Sequence, residues 1–242
     1  MIRRMMTVPP ASSRVGPLRK IFAGDPYRKT RFHDEKGNLV DAGEWLYFPL
    51  VVQRFLARAL FDKLYVEPWW TFCVKRRVAE ILSRDMTVVE FGSGQSTLWL
   101  AQRVGRLLAI EDNPAWHERV KQNIARMGLD NVTLELRNAA DYPDVSAIPD
   151  GSVDFCVIDG LDRGRCAAAI LPKIKPGGWI YLDNADKDSN LPEDGVNMRS
   201  AEATLRRHIP ESDIRMFTGF TIGLVNTHQG MLCRCHRAHA AP

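Results

Sequence analysis

The stretch Thr87 to Ala101, TVVEFGSGQSTLWLA, leaves this chain few folds to choose from. Val88, Val89 and Phe91 form the β-branched and aromatic run of an interior parallel strand. Gly92 and Gly94 then let the backbone turn sharply and come close to a ligand. Ser96 or Thr97 caps a following helix whose apolar face includes Leu98 and Leu100, with free amides at its first turn. Strand, glycine turn and helix in direct succession make a seat for a nucleotide-like group.

The residues after this stretch repeat the alternation. Arg106 to Ile110 reads as a strand ending at Glu111, and Pro114 to Met127 as a helix closed by Gly128. Val132 to Leu136 is a third strand, followed by Asn138, Ala139, Ala140 and Asp141, and Val153 to Ile158 is a fourth, ending at Asp159. Cys166 to Ile174 reads as a helix stopped by Pro176-Gly177-Gly178, and Trp179 to Leu182 as a fifth strand ending at Asp183-Asn184. Met198 to His208 is a helix, and strands near Ile214 to Phe217 and Met231 to Cys235 lie close together, so an antiparallel pair closing the sheet edge is the economical reading. The fold class is therefore α/β: a doubly wound, mostly parallel seven-stranded sheet, Rossmann-like, with an antiparallel C-terminal strand pair and an N-terminal helical extension. Ligands of such sheets bind at the carboxyl ends of the strands, where Glu111, Asp141, Asp159 and Asp183 all fall.

Ahead of the sheet, Leu50 to Leu64 places Val51, Val52, Phe55, Leu56, Ala59, Leu60 and Leu64 at helical spacing, with Gln53, Arg54, Arg58, Asp62 and Lys63 opposite. A helix packed on its own domain through that apolar face is expected; docking on a membrane surface is the competing reading. Residues 1–31 contain eight basic residues against Asp25 alone, an excess of seven positive charges in a chain of net charge +4, so the remainder is net negative. The expected organisation is a basic, mobile extension over 1–44, a helical cap segment over 45–84, the sheet domain over 85–236 and a tail over 237–242. No apolar run approaches the ~20 residues needed to span a bilayer. Five cysteines without framework spacing suit a reducing compartment, and the expected location is cytoplasmic.

Two cofactor classes use the strand-turn-helix seat. A dinucleotide fingerprint wants G-x-G-x-x-G, and Thr97 stands where its third glycine belongs. Glu90, two places before the first glycine, gives E-x-G-x-G-x-S instead, which resembles motif I of the class I S-adenosylmethionine-dependent methyltransferases. LLAIEDNPAWHERVKQN, Asp141, VDFCVIDG and LPKIKPGGWIYLDNAD resemble that family's later motifs in order, over about Glu67 to Asp186. The resemblance implies S-adenosylmethionine as cofactor, with Glu90, Gly92, Ser93, Gly94, Ser96, Glu111, Asp112, Ala140, Asp141 and Asp159 as its binding residues. Glu111 would take the ribose, Ala140 and Asp141 would border the adenine, and Asp159 would serve catalysis. Asp159, Asp183 and Asn184 also match the metal ligands of catechol and caffeoyl-CoA type O-methyltransferases, which implies Mg²⁺. The sequence departs from that type in a glycine turn two residues shorter and in Asp162, which replaces a lysine. Without a metal, Asp159 would touch cofactor and Asp183 would end its strand.

The acceptor is narrowed by absent motifs. No N/D-P-P-Y/F segment follows the fourth strand and no Pro-Cys pair offers a thiolate, which disfavours amino-methylating and cytosine-ring enzymes. A hydroxyl on a small molecule is the first expectation, and nucleic acid is not the expected partner. A macromolecular acceptor, RNA or protein, and a degenerate non-catalytic binding module are the alternatives. Lys187 and His228 could overhang the site as general bases, and Trp69 and Trp70 could stack on a ligand or pack beneath the added helix. Composition leaves the oligomeric state open.

Overall fold

The computed structural model describes residues 27–61, 65–187, 192–221 and 225–236. Most of residues 1–31, the basic tail, and residues 237–242 lie outside that range. Helix α1 spans Phe48–Phe61 and α2 Phe72–Ile81, and the sheet domain then runs β1 (Thr87–Phe91), α3 (Gln95–Ala101), β2 (Arg106–Glu111), α4 (Pro114–Arg126) and β3 (Val132–Leu136). It continues with β4 (Val153–Ile158), α5 (Arg163–Ile170), β5 (Ile174–Leu182), α6 (Pro192–His208), β6 (Ile214–Phe220) and β7 (Thr227–Arg234). The seven strands lie in the order β3-β2-β1-β4-β5-β7-β6, the first five parallel and β7 antiparallel to both its neighbours. This is the expected architecture, with the order reversing at β1 and β4 as a doubly wound sheet requires.

Alternation along each strand divides the core in two. Val89, Phe91, Ile110, Cys156 and Ile158 face α5 and α6, where Ala167, Ile170, Ala201 and Leu205 meet them. Val88, Leu107, Phe155, Val157 and Tyr181 face the other way, onto α2 and α3 through Val74, Val78, Trp99 and Leu100. Trp70 is buried in this second layer, its ring centroid 4.6 Å from Tyr181 and 5.9 Å from Trp99.

The fifth strand and the helix before it differ from the sequence expectation. The helix starts earlier, at Arg163, and gives way to a single 3-10 turn at Leu171–Lys173, because Pro172 has no amide to continue the ladder. The strand begins at Ile174, paired with Val153, and a bulge absorbs the Pro176-Gly177-Gly178 segment before pairing resumes at Phe155 and Trp179. Gly177 has φ +86, so those residues punctuate the strand instead of preceding it.

Residues 27–44 also depart from expectation: they are strapped to the domain. Arg28, Asp34 and Glu44 are buried. Asp41 Oδ2 accepts from the Thr218 amide at 2.8 Å, and Glu44 Oε1 from the Cys73 amide at 2.6 Å. Arg28 lies 3.2 Å from Glu35 and 3.5 Å from Asp186, and Lys187 closes on the same Glu35 at 2.6 Å. A tail reads as mobile when its charges are solvated; here their partners lie some 150 residues away and sequence periodicity does not reveal them.

Helix α1 forms as expected but is turned over. Val51 packs inward with Val40, Phe72 and Phe220. Val52, Phe55, Leu56, Leu60 and Phe61 are exposed, while Arg54 bonds Glu67 at 2.8 Å. The apolar stripe thus points outward, and the expectation that it packs on its own domain is corrected.

Removing Arg28 would leave Asp186 and part of the Glu35 charge buried without their cation. Arg28→Ala should destabilise the fold by about 3 kcal/mol, the lower end for breaking a buried ion pair because Lys187 still serves Glu35. In a chain of this length that is a fall of roughly 6–12 °C in thermal midpoint, checked by calorimetry.

Candidate active site

One hydrogen-bonded row sets the site. Phe91 pairs with Ile110 on one side and Ile158 on the other, and Ile158 pairs with Leu182. The next residue of each strand is therefore Gly92, Glu111, Asp159 or Asp183, all brought to one edge. Three amides close that edge: Gly92 to Ile110 O at 2.8 Å, Asp159 to Phe91 O at 2.8 Å, and Asp183 to Ile158 O at 3.1 Å.

Gly92 has φ +106, and a Cβ there would stand 3.1 Å from the Asp159 carbonyl carbon and from the Gly160 amide nitrogen. Backbone meets backbone at this crossing, and both conformation and space require glycine. The opposite glycine, Gly160, is confined by the Tyr142 hydroxyl, which donates to Ile110 O at 3.2 Å. Gly94 is different. Its backbone is extended, and an added methyl would meet only the Trp116 ring at 3.7 Å, so its smallness serves the cleft more than the turn.

The first helical residue after the turn is Gln95, and Gly94, in place of Ser96 or Thr97, is the N-cap. Thr97 closes the turn from inside the helix. Its Oγ1 accepts from the Gly94 amide at 2.9 Å and donates to Glu90 Oε2 at 2.6 Å. Glu90 is fully buried, and its Oε1 has no hydrogen-bond partner among the described residues. Burial pushes its carboxyl up to about 8, with repulsion from Asp159 and Glu111 adding to the shift.

Glu111 reaches across from β2. Its Oε2 accepts from the Ser93 amide at 3.1 Å and the Ser93 hydroxyl at 2.8 Å, and its Oε1 from the Asn113 amide at 3.0 Å. Asn113 caps α4, accepting from the Trp116 amide at 3.0 Å. The Trp116 indole donates to Ser93 O at 2.6 Å and so lies against the glycine turn.

These residues enclose a cleft of about 200 Å³, lined by Gly94, Ser96, Glu111, Trp116 and Asp159, with Trp69 at its rim. Gly92, Ser93 and Asp112 of the sequence expectation border it too, as does Gln95. Ala140 and Asp141 do not. Asn138 Oδ1 holds both amides, at 2.8 and 3.2 Å, and Ala140 lines a separate hollow beside Arg165. Trp116, Gln95 and Arg163 were missed. The only signal for Arg163 was its place four residues after Asp159, a spacing that pairs charges on a helix.

Arg163 decides the metal question. Its Nη2 is 3.0 Å from Asp159 Oδ1 and 3.2 Å from Asp159 O, and its Nη1 donates to Asp183 O at 2.5 Å. Asp183 Oδ1 accepts from the Tyr181 hydroxyl at 2.7 Å, and burial followed by repulsion from Asp159 holds the Asp183 carboxyl well above the usual range. Asn184, with φ +51, turns the chain away from β5. A guanidinium thus bridges the two strand ends, bonded to the Asp159 carboxylate and to the Asp183 carbonyl. Asp159, Asp183 and Asn184 do not fit a divalent ion, and the Mg²⁺ expectation is not met by this geometry.

Lys187 and His228 also stand apart from the cleft. Lys187 is held by Glu35, and His228 Nδ1 lies 3.4 Å from Arg28 and 3.8 Å from Asp186.

Strand order, glycine turn and the parallel sheet with its antiparallel C-terminal pair are those of the Rossmann-like methyltransferase fold. Residues 89–185 match the family described as "Methyltransferase domain". Among curated proteins, the chain is 38% identical over 114 residues to "Probable cobalt-precorrin-6B C(15)-methyltransferase (decarboxylating)" of Methanothermobacter thermautotrophicus, covering 46% of this chain and 57% of that relative. The chain thus spans little more than half of that relative's length. Among solved structures, precorrin 8W decarboxylase of Methanobacterium thermoautotrophicum is 27% identical with a TM-score of 0.51, over 66% of this chain and 87% of that one. The O-methyltransferase TomG of Streptomyces achromogenes, solved with S-adenosylmethionine, shares the fold at 19% identity and a TM-score of 0.56, over 81% of this chain and 97% of its own.

Folding raises the Glu90 pKa, so its contribution to stability is intact below the ordinary value of 4.5 and is lost as pH rises through about 8. Glu90→Gln, which can still accept from Thr97, removes that dependence. Thermal melts at pH 5 and pH 8 should show the variant gaining on the parent at the higher pH by about 3 kcal/mol, some 6–12 °C. Equal shifts at both pH values would assign Glu90 an ionised state throughout.

Proposed function

We propose that the cleft binds S-adenosylmethionine and that the protein methylates a hydroxyl of a small molecule. One observation carries the reading: Glu111, at the end of β2, is tied to the Ser93 turn of β1 in the same cleft that Asp159 borders from β4. A carboxylate so placed accepts hydrogen bonds from a ribose diol, and the match of residues 89–185 to a methyltransferase family supports the choice of cofactor over a dinucleotide.

The residues present suit that ligand. Glu111 would take the ribose hydroxyls. Gly94 and Ser96 would line the aminoacyl end, with the unpartnered Glu90 Oε1 near the base of the turn. Trp116 offers an aromatic wall for the adenosine. When bound, the sulfonium supplies an electrophilic methyl group. The protein's part is then to position an acceptor oxygen in line with it, which can lower the barrier by about 7–11 kcal/mol.

Asp159 is the group that meets the acceptor. It lies in the cleft with about a third of its side chain exposed, 30%, and Arg163 fixes its orientation from behind. Asp159 would take the proton of the acceptor hydroxyl, while the bound cofactor would supply the methyl group and a neutral thioether as leaving group. Trp69 covers the rim on the acceptor side. The second reading, a macromolecular acceptor, rests on the basic residues 1–31 alone.

Calorimetric titration with S-adenosylmethionine and with NAD tests the cofactor, and a panel of hydroxylated metabolites tests the acceptor. Glu111→Ala should weaken S-adenosylmethionine binding by roughly 1.5–3 kcal/mol, as expected for hydrogen bonds to a charged group. Asp159→Asn should leave that affinity in place and lower the rate of transfer by about 10²–10⁴-fold. Because Arg163 fills the strand-end position, a chelator should not change the rate.

A further inference from the structure

The outer edge of β6 is only partly covered. This strand ends the sheet, three strands across from β4, and pairs with β7 along one side. Hydrogen-bond alternation shows which of its main-chain groups face the other side. Ala185 donates to Gln229 O at 2.7 Å and Cys235 to Gly178 O at 2.8 Å, so the odd-numbered residues of β7 serve β5 and the segment after it. The even-numbered ones serve β6, bonding Arg215, Phe217 and Gly219 through Leu232, Gly230 and His228. The groups of Met216 and Thr218 therefore point away from the sheet, as does the carbonyl of Ile214, whose amide turns back to Glu211 O. Asp41 takes both groups of Thr218, its amide donating to Thr218 O at 2.8 Å and its carboxylate accepting from the Thr218 amide at 2.8 Å. The Ile214 carbonyl and both groups of Met216 meet no main-chain partner among the described residues.

An open strand edge is a template for another strand, and charge says which kind fits here. Beside this edge, between β6 and α2, lies a hollow of about 340 Å³ lined by Arg76, Arg77 and Arg215 together with Asp41 and Glu80. Both carboxylates are engaged: Asp41 by Thr218, and Glu80 by Arg77 at 3.1 Å and Arg76 at 3.9 Å. Arg215 is exposed and rests over the Phe217 ring at 5.5 Å, with no ion pair among the described residues. The acids just before the strand do not reach it, since Glu211 pairs with Arg206 and Asp213 with His236. Positive charge is left over, which repels a basic segment or a second copy carrying the same arginines and attracts an acidic one. Asp41 displays the form such a partner takes. Two residues along the same edge, it offers Thr218 an amide and a carboxylate from a polyproline-like backbone, φ −58 and ψ 142. We propose that the open stretch of β6 receives an extended acidic segment of a partner protein, which adds a strand to the sheet and sets its carboxylates against Arg215 and Arg76.

The test is fluorescence anisotropy of the full-length chain with a labelled hexapeptide of alternating aspartate and valine. Binding should saturate with a midpoint below about 1 mM and weaken as salt is raised. The lysine-valine counterpart should not bind, and full N-methylation of the acidic peptide, which removes its ladder donors, should weaken it by at least about tenfold. Met216→Pro deletes an outward amide and no bond to β7, a substitution that edge strands tolerate. That variant and the exposed Arg215→Glu, each checked by its melting curve, should bind the acidic peptide at least about tenfold more weakly. If Met216→Pro fails to fold, hydrogen exchange of the Met216 amide in the parent takes its place, and saturating peptide should slow it. An acidic peptide that does not saturate, that binds as well when N-methylated, or that binds Arg215→Glu as tightly as the parent would overturn the proposal. So would a parent dimer that Arg215→Glu splits into monomers in sedimentation equilibrium, since a second copy would then own the edge.

Discussion

The alignment of four strand ends on one row is the constraint that organises everything else here. Parallel strands pair at fixed register, so Phe91, Ile110, Ile158 and Leu182 stand side by side, and whatever follows them must share one edge. The carboxylates at that edge are not placed by their own interactions. Buried ladders on both faces place them, at a cost in repulsion and desolvation that the core absorbs. Glu90 and Asp183 record that cost in carboxyls raised above their ordinary range.

How the edge is neutralised distinguishes this protein from the metal-dependent enzymes its sequence resembles. A divalent ion draws carboxylates together and keeps them ionised. Arg163 supplies a single positive charge, spread over a planar fork, that binds the Asp159 carboxylate and the backbone carbonyls of Asp159, Gly160 and Asp183 at once. Such a cation arrives with the helix that follows β4 and needs no loading from solution.

Much of this was legible before any coordinates, and the misses have physical causes. Glu111 could be read because an acid at the end of a second parallel strand has few places to point. Trp116 could not: its contact with Ser93 depends on how α4 docks over the turn, which no local pattern encodes. Ala140 and Asp141 sit at the right position in the chain, but Asn138 folds their amides back on itself. The strap over residues 27–44 was hidden because Arg28 and Glu35 pair with Asp186 and Lys187, more than 150 residues further along the sequence. Periodicity found α1 correctly and could not say which way it faces, since a stripe of Phe and Leu looks the same whether core, partner or lipid receives it.

The crossing of Gly92 and Gly160 has an evolutionary consequence. Each glycine fills space denied to a side chain by the other's backbone, so neither site can change first without a clash. A descendant of this protein that abandoned catalysis altogether would still inherit both glycines, and their persistence across a lineage would testify to the geometry of two neighbouring strands and not to an active enzyme.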